Sequence, residues 1–172
     1  MGNVTLLIGG ARSGKSSLAV EIGQRHAGDV AFIATGEPID DDMRQRIARH
    51  RIDRPDWPVV EQPLDLGATI ASAPATALLI VDCITVWVGN ELHHRDVVDV
   101  TDVATALVER SGPSVVVTNE VGLGVHPETD LGRRYRDELG RVNQAIAAVA
   151  TTTLLMVAGR AMRLDDPWKE LQ

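Results

Sequence analysis

The sequence contains 172 residues, 44% of them hydrophobic, which suits one folded domain and argues against a disordered chain. Its net charge of −7 argues against a nucleic-acid-binding protein, because an acidic chain lacks long-range attraction for phosphate backbones. No secretory signal opens the sequence, and no apolar stretch approaches the ~20 residues of a membrane helix. The single cysteine, Cys83, allows no intrachain disulfide, so we expect a cytoplasmic protein without a membrane span.

Strand-like and helix-like segments alternate along the chain, which predicts an α/β fold with a largely parallel sheet. We expect one domain over residues 1–172. Strands are predicted at residues 4–8, 30–34, 59–61, 77–81, 114–118 and 153–158. Helices are predicted at about residues 15–26, 40–53, 64–73, 84–93, 97–111 and 131–150. The tail, residues 159–172, is predicted to be irregular.

A glycine-rich segment after the first strand matches the phosphate-loop pattern G-x-x-x-x-G-K-[ST]. Its residues are Gly9, Gly10, Ala11, Arg12, Ser13, Gly14, Lys15 and Ser16. An apolar strand precedes the segment and a helix follows, as the motif requires, which argues against a chance glycine-rich turn. Backbone N–H groups of such a loop surround phosphate oxygens at a helix N-terminus. We expect Lys15 to reach the β and γ phosphates and Ser16 to bind Mg²⁺.

Acidic residues end three of the predicted strands, where ligands of parallel sheets bind. Asp82 follows the most apolar strand and is predicted to hold Mg²⁺ directly or through water, with helix capping as the alternative. Glu120 is a second candidate, which would contact metal or substrate, or simply cap the following loop. Glu61 ends the short strand and is counted among the nucleotide-binding residues.

The predicted second helix is unusually basic for an acidic protein, with five arginines around His50. Arg46, His50 and Arg54 lie four residues apart on one face, and Arg49 borders that face. Guanidinium groups suit phosphate recognition, and a neutral imidazole beside them can attack phosphorus and form a phosphoramidate. From spacing alone, however, a histidine among arginines most often marks a solvated helix face.

Several separated motifs together resemble the bifunctional adenosylcobinamide kinase / adenosylcobinamide-phosphate guanylyltransferase family of cobalamin biosynthesis. Two of them are specific to that family: the histidine signature at residues 46–57 (RIARHRIDRPDW) and the block at residues 118–127 (TNEVGLGVHP). The others are residues 7–16, 33–35 with 41–43, 82–87 with Asn90, and 136–144. Some family members carry two adjacent histidines in the signature, whereas here Arg49 stands first, so only His50 can be the nucleophile.

The resemblance implies a RecA-like P-loop fold, a homotrimer, and two reactions that use Mg²⁺ with GTP and ATP as substrates. A nucleoside triphosphate first phosphorylates adenosylcobinamide, and GMP from GTP then passes through His50 to adenosylcobinamide phosphate. Lys15 is the second catalytic residue expected, and Arg46, Arg49 and Arg54 are expected to bind nucleotide.

Three other functions stay open beside the resemblance. A plain small-molecule kinase would share the fold without guanylyl transfer. A RecA-like ATPase acting on nucleic acid or a protein partner is disfavoured by the acidic balance and the low aromatic content of 3%. A regulatory nucleotide-binding protein without catalysis is disfavoured by the intact set of Lys15, Ser16 and Asp82.

Overall fold

A mostly parallel sheet forms the centre of the computed structural model, which describes residues 2–171 apart from five side chains. Those side chains are Asp42, Arg46, Asp53, Lys169 and Glu170. The strands are β1 (Val4–Gly9), β2 (Val30–Ala34), β3 (Val59–Glu61), β4 (Leu78–Asp82), β5 (Ser114–Asn119), β6 (Thr152–Val157) and β7 (Arg160–Leu164). Their order across the sheet is β3-β2-β4-β5-β1-β6-β7. Only β7 runs antiparallel to its neighbour within this sheet.

The helices follow the strands as crossover connections, which is the arrangement that parallel pairing requires. They are α1 (Lys15–Arg25), α2 (Asp41–Asp53), α3 (Leu66–Ser72), α4 (Ile84–His94), α5 (Thr101–Glu109), α6 (Asp130–Val149) and α7 (Pro167–Glu170). The predicted alternation of strands and helices is confirmed, with boundaries shifted by a few residues.

Two apolar clusters, one on each face of the sheet, make the core. Successive strand residues point to opposite faces, so Leu6 joins the cluster under α3 to α6 while Leu7 joins the cluster under α1. Both are completely buried, as are Leu79 and Ile80 on β4. Such unbroken apolar strands are typical of parallel sheets covered on both faces.

The prediction of an irregular tail is wrong. Residues Arg160–Leu164 form β7, which pairs antiparallel with β6, and Pro167–Glu170 form the short helix α7. The strand was missed because every described residue of β7 is exposed, so its sequence lacks the apolar run that marks a buried strand. The pairing partner, not the composition of the segment, determines this strand.

None of the helices among residues 2–171 is both long and apolar enough to cross a membrane. The exposed apolar side chains are instead concentrated near the carboxyl-terminal hairpin and in the loop after β5. Those near the hairpin and tail are Val157, Met162, Leu164, Trp168 and Leu171, and those in or just after the loop are Leu123, Val125 and Leu131.

Candidate active site

The carboxyl ends of the parallel strands bring the predicted site residues to one edge of the sheet. Register pairs Gly9 with Asn119, so the phosphate loop begins beside the end of β5. Ala34 pairs with both Asp82 and Glu61, so the ends of β2, β3 and β4 lie side by side. This edge is where nucleotides bind in open α/β sheets.

The phosphate loop has a tightly fixed backbone. Gly14 adopts a positive φ of 98°, which a side chain would disfavour, and it forms the N-cap of α1 without a side-chain bond. A Cβ at Gly9 would lie 2.3 Å from the Met156 carbonyl oxygen on β6. The amide of Gly159 donates to the Ser13 carbonyl at 3.0 Å, so the β6–β7 turn also supports the loop. The first amides of α1 therefore remain available for an anion.

Lys15 lies buried across the mouth of this loop. Its Nζ donates to the carbonyl oxygens of Gly9 at 2.9 Å and Gly10 at 2.6 Å, and to Ser13 Oγ at 3.2 Å. Burial lowers the pKa of the Lys15 ammonium, while the nearby Cys83 and Asp82 oppose that shift. A triphosphate in the loop would supply the anionic partner that the three neutral acceptors lack.

Asp82 is nearly buried, with 11% of its side chain exposed, at the centre of the edge. Burial raises the pKa of this carboxyl, and His50, the Ser16 hydroxyl, Lys15 and Arg54 each oppose that rise. The groups that stabilise its anion therefore come from both the phosphate loop and helix α2. Both predicted catalytic residues, Lys15 and His50, act electrostatically on Asp82.

His50 reaches this edge from α2. Its Nδ1 lies 3.9 Å from Asp82 Oδ2, which is too long for a hydrogen bond but close enough for electrostatic attraction. The imidazole side chain is 54% exposed, so an incoming phosphate has access to it. The structure thus brings the predicted nucleophile to the same carboxylate that the phosphate loop faces.

The arginines of α2 have different environments. Arg51 forms an ion pair with Glu61, which joins the helix to the end of β3. The Arg54 guanidinium lies 4.8 Å from the centre of the Phe32 ring, a cation–π arrangement. Arg49 is exposed, and the side chain of Arg46 lies outside the described part of the chain. Arg12, in the phosphate loop, is also exposed, with a φ of 56°.

Glu120 lies at the same edge but is engaged locally. Its Oε1 accepts a hydrogen bond from the Gly122 amide, and its own amide donates to the Gly9 carbonyl at 3.1 Å. The first contact is the loop cap that the sequence left open as an alternative. The second ties the loop after β5 to the start of the phosphate loop.

Sequence reasoning missed a set of buried hydrogen bonds behind this edge. Thr35 Oγ1 donates to the Cys83 carbonyl at 2.7 Å and accepts from the Cys83 amide at 3.0 Å. Asn90 Nδ2 donates to Thr35 O at 2.9 Å and to Pro63 O at 3.0 Å. Thr35 and Asn90 both belong to the quoted motifs, so the signal was present without an assigned role.

A second network of hydrogen bonds joins the end of β5 to helices α4 and α6. Asn143 on α6 accepts from Thr118 Oγ1 at 2.7 Å and donates to the Asn119 carbonyl at 3.0 Å. The Asn119 amide donates to Thr85 Oγ1 at 2.6 Å, and the Tyr135 hydroxyl donates to the Thr85 carbonyl at 3.1 Å. These side chains position the end of β5.

A cavity of about 700 Å³ lies elsewhere, around β2, with walls that include residues of α1, α3 and the segment before β3. Its walls include Phe32, Trp57 and Val60, and none of the predicted catalytic or nucleotide-binding residues lines it. Motif, strand edge and electrostatics agree on the phosphate-loop edge, so we assign the candidate active site there.

The donor set at this edge fits Mg²⁺ bound together with a nucleotide. The Ser16 hydroxyl and the Asp82 carboxylate face each other, and both are oxygen ligands. Among the described residues, no group of three or more His, Cys, Asp or Glu side chains forms a protein-only metal site. Mg²⁺ ordinarily uses one or two protein oxygens and takes its other ligands from phosphates and water.

Comparisons with known proteins give matches over nearly the whole chain. Residues 5–164 match the family model described as cobinamide kinase / cobinamide phosphate guanyltransferase. The bifunctional adenosylcobalamin biosynthesis protein CobP of Pseudomonas aeruginosa is 43% identical, over 92% of this chain and 95% of that protein. The corresponding CobU proteins of Salmonella typhimurium and Escherichia coli are 39% and 35% identical, over 92% of this chain and 98% of each.

A solved ATPase from the type III secretion system of pathogenic bacteria shares the fold. It is 14% identical, with a TM-score of 0.53 over 99% of this chain and 53% of that one. The predicted α/β, RecA-like P-loop fold class is confirmed. The family model and the three relatives each match nearly the whole sequence. These matches show that this chain belongs to the cobinamide kinase / cobinamide phosphate guanyltransferase family.

Proposed function

We propose that this chain phosphorylates adenosylcobinamide and then converts the product to adenosylcobinamide-GDP through a GMP–His50 intermediate. Family membership supports both activities. The observation that carries the residue assignment is the convergence on Asp82 of Lys15 and Ser16 from the phosphate loop and His50 from α2. The edge of the sheet that contains Asp82 then serves both reactions.

In the kinase step, the phosphate loop, with its residues Gly9, Gly10, Ala11, Arg12, Ser13, Gly14, Lys15 and Ser16, would hold the triphosphate. The hydroxyl oxygen of the aminopropanol arm attacks the γ phosphorus, and the bond from that phosphorus to the β–γ bridging oxygen breaks. Lys15 would exchange its backbone acceptors for phosphate oxygens and stabilise the charge on the leaving nucleoside diphosphate. Glu120, at the end of β5, would contact metal or substrate beside the acceptor.

In the guanylyl step, a ring nitrogen of neutral His50 attacks the α phosphorus of GTP. The bond to the α–β bridging oxygen breaks and pyrophosphate leaves, which yields a phosphoramidate. A phosphate oxygen of adenosylcobinamide phosphate then attacks the same phosphorus, and the N–P bond breaks. Arg46 and Arg49 on α2, with Arg54 directly after it, would stabilise the charge on the transferring group, and Glu61 would border the nucleotide.

The two steps need different phosphorus atoms, γ for the kinase and α for His50. One phosphate loop cannot present both atoms identically to both acceptors. The chain would therefore use two nucleotide poses or a movement of α2. The absence of a buried side chain among the described residues of α2 is compatible with such movement.

Mg²⁺, held by Ser16 and Asp82 beside the phosphates, would neutralise phosphate charge in both steps. GTP serves the guanylyl step, and either ATP or GTP would serve the kinase step. A cytoplasmic location remains a prediction from the sequence.

We also propose a homotrimer, which the family resemblance implies. The exposed apolar side chains near the β6–β7 hairpin and in the tail are candidates for burial between copies of the chain. Light scattering should give three times the mass of the 18.5 kDa chain. A monomer at working concentrations would refute this assembly.

The decisive experiment uses Mg²⁺ and GTP labelled on the α phosphate. After denaturation, the wild-type protein should retain acid-labile label, because a phosphoramidate survives unfolding but not acid. The His50→Ala variant should retain none, yet it should still transfer the γ phosphate to adenosylcobinamide. The Lys15→Ala variant should lose both reactions by about 10³-fold, since its ammonium serves either leaving group.

Three outcomes separate the candidate functions. Label on the wild type alone supports the bifunctional assignment. If the folded wild type binds GTP and phosphorylates the corrinoid but takes no label, the plain kinase replaces it. Loss of the kinase reaction in His50→Ala would also contradict the division of roles between the phosphate loop and α2.

A further inference from the structure

His50 lies in the segment of residues 35–63, which runs from the end of β2 through α2 and β3, and α2 itself has little contact with the core. None of the described side chains of α2 is buried, and Ile52 is among the most exposed apolar residues. Most of the other helices of this domain pack one apolar face against the core, as α6 does through Leu139 and Ile146. Helix α2 is therefore held by the two ends of its segment together with the Arg51–Glu61 ion pair, and not by burial in the core.

One side chain, Asn90 on α4, bonds to both of those ends. Its amide nitrogen donates to Thr35 O, directly after β2, and to Pro63 O, shortly after β3. Both partners are carbonyl oxygens, so the NH₂ group uses its two hydrogens, one on each. Asn90 is only 7% exposed, and loss of its bonds would leave the carbonyls of buried Thr35 and half-buried Pro63 without this donor.

Neighbouring residues strengthen the same two ends. Trp87, one turn earlier on α4, donates from Nε1 to Leu64 O at 2.6 Å. Thr35 is additionally held by the backbone of Cys83, and the Gln62 amide donates to Ala34 O at 2.9 Å. Helix α4 is itself anchored in the core by Ile84 and Val88, which are fully buried. The end contacts thus connect the His50 segment to a rigid element.

We propose that Asn90 is a positioning residue for guanylyl transfer, because it fixes both ends of the segment that carries His50 against α4. The proposal rests on the proposed function of His50. Asn90 does not touch the nucleotide in this role, since both of its donor hydrogens are engaged by protein carbonyls. Its effect reaches the reaction through the position of His50 relative to Asp82, and not through the phosphate loop.

The test compares three variants of the full-length protein. Asn90→Ser removes both bonds, Trp87→Phe removes one bond while keeping an aromatic ring, and Ile146→Val is a control for general destabilisation in the core of α6. For each, the first-order rate of label transfer from α-labelled GTP to His50 is measured at saturating GTP, beside the Kd for Mg²⁺–GTP.

We expect Asn90→Ser to slow labelling about tenfold or more, because small misplacements of a reacting group are costly. Trp87→Phe should slow it about threefold, with one bond lost. Mg²⁺–GTP binding should change less than about twofold in both, since the phosphate loop is untouched. Ile146→Val should label at the wild-type rate despite its lower stability.

Hydrogen exchange supplies a readout that does not depend on the chemistry. Amides of residues 36–58 should exchange faster in Asn90→Ser than in wild type, with no such change in Ile146→Val. Wild-type labelling rates or unchanged exchange in Asn90→Ser would overturn the positioning role alone. A similar loss of labelling in Ile146→Val would do the same. A wild-type protein that takes no label would instead overturn the proposed function, and the positioning role with it.

Discussion

The phosphate loop and helix α2 meet at Asp82 but are held in place by different means. The loop lies between buried β1 and α1, and its Gly9 and Gly14 fit against the backbone of β6 and the following turn. Helix α2 exposes most of its surface, including 54% of the His50 side chain. It is held through the ends of the segment that contains it. A motif with an intrinsic backbone shape forms locally, whereas the place of α2 is determined by residues far along the chain.

The largest effect on stability should come from filling the close contact under the loop. In Gly9→Ala, the new methyl group would meet the Met156 carbonyl at 2.3 Å, and neither backbone can move without disturbing the β1–β6 pairing. We expect the free energy of unfolding to fall by about 3 kcal/mol, the upper range for overpacking a well-packed site. Denaturant unfolding without nucleotide measures it.

The matched control is the neighbouring glycine. A Cβ at Gly10 would meet nothing within 4 Å, so Gly10→Ala should change the free energy of unfolding by less than about 0.5 kcal/mol. Equal losses in the two variants would mean that general loop flexibility, and not the contact with β6, controls stability here.

The difference between the phosphate loop and α2 explains why the sequence predicted the backbone of the loop so well. A glycine pattern between an apolar strand and a helix predicts the backbone shape, and the structure has that shape at residues 9–16. The parallel core was also predictable, because apolar runs such as Leu78–Asp82 mark buried strands. β7 was not predictable, because an exposed antiparallel edge strand has no such run.

In the candidate site, too, some residues could be assigned from local sequence and others could not. Asp82 and Lys15 could be assigned from their places after a strand and in a motif. His50 gained its role only from the family resemblance, since a histidine spaced among arginines is most often part of a solvated helix face. The approach of His50 to Asp82 depends on Asn90 and Thr35, whose buried bonds join segments about fifty residues apart. No local pattern encodes such partners.

Two helix N-caps offer a sharper comparison of the core with α2. Asp40 Oδ1 accepts from the Met43 amide at 2.7 Å in α2, and Thr129 Oγ1 accepts from the Gly132 amide at 3.1 Å in α6. Thr129→Ala should lower the global free energy of unfolding by about 1 kcal/mol, because α6 packs on the core. Asp40→Ala should lower it by less than about 0.5 kcal/mol, because α2 can fray without exposing core residues.

Hydrogen exchange should reveal the loss of local stability in α2 that denaturant unfolding does not detect. In Asp40→Ala, amides of α2 should exchange faster while those of α6 remain as in wild type. In Thr129→Ala, the protection of the most slowly exchanging amides should fall together with global stability. If both variants lost equal global stability, α2 would have to unfold together with the core, contrary to its exposure.

The smallest expected effect concerns Tyr135, the only tyrosine, which belongs to the buried network behind the loop. Burial, with a smaller contribution from the Cys83 thiol, raises the pKa of its phenol from 10.0 to about 12. Ultraviolet absorbance should therefore show tyrosinate forming near pH 12 in the folded protein and near pH 10 after unfolding. Between those pH values the unfolded chain binds fewer protons, so stability falls as pH rises through this window. Tyr135→Phe should lack that part of the loss. Tyrosinate formation near pH 10 in the folded wild type would mean that this network opens to solvent as readily as α2.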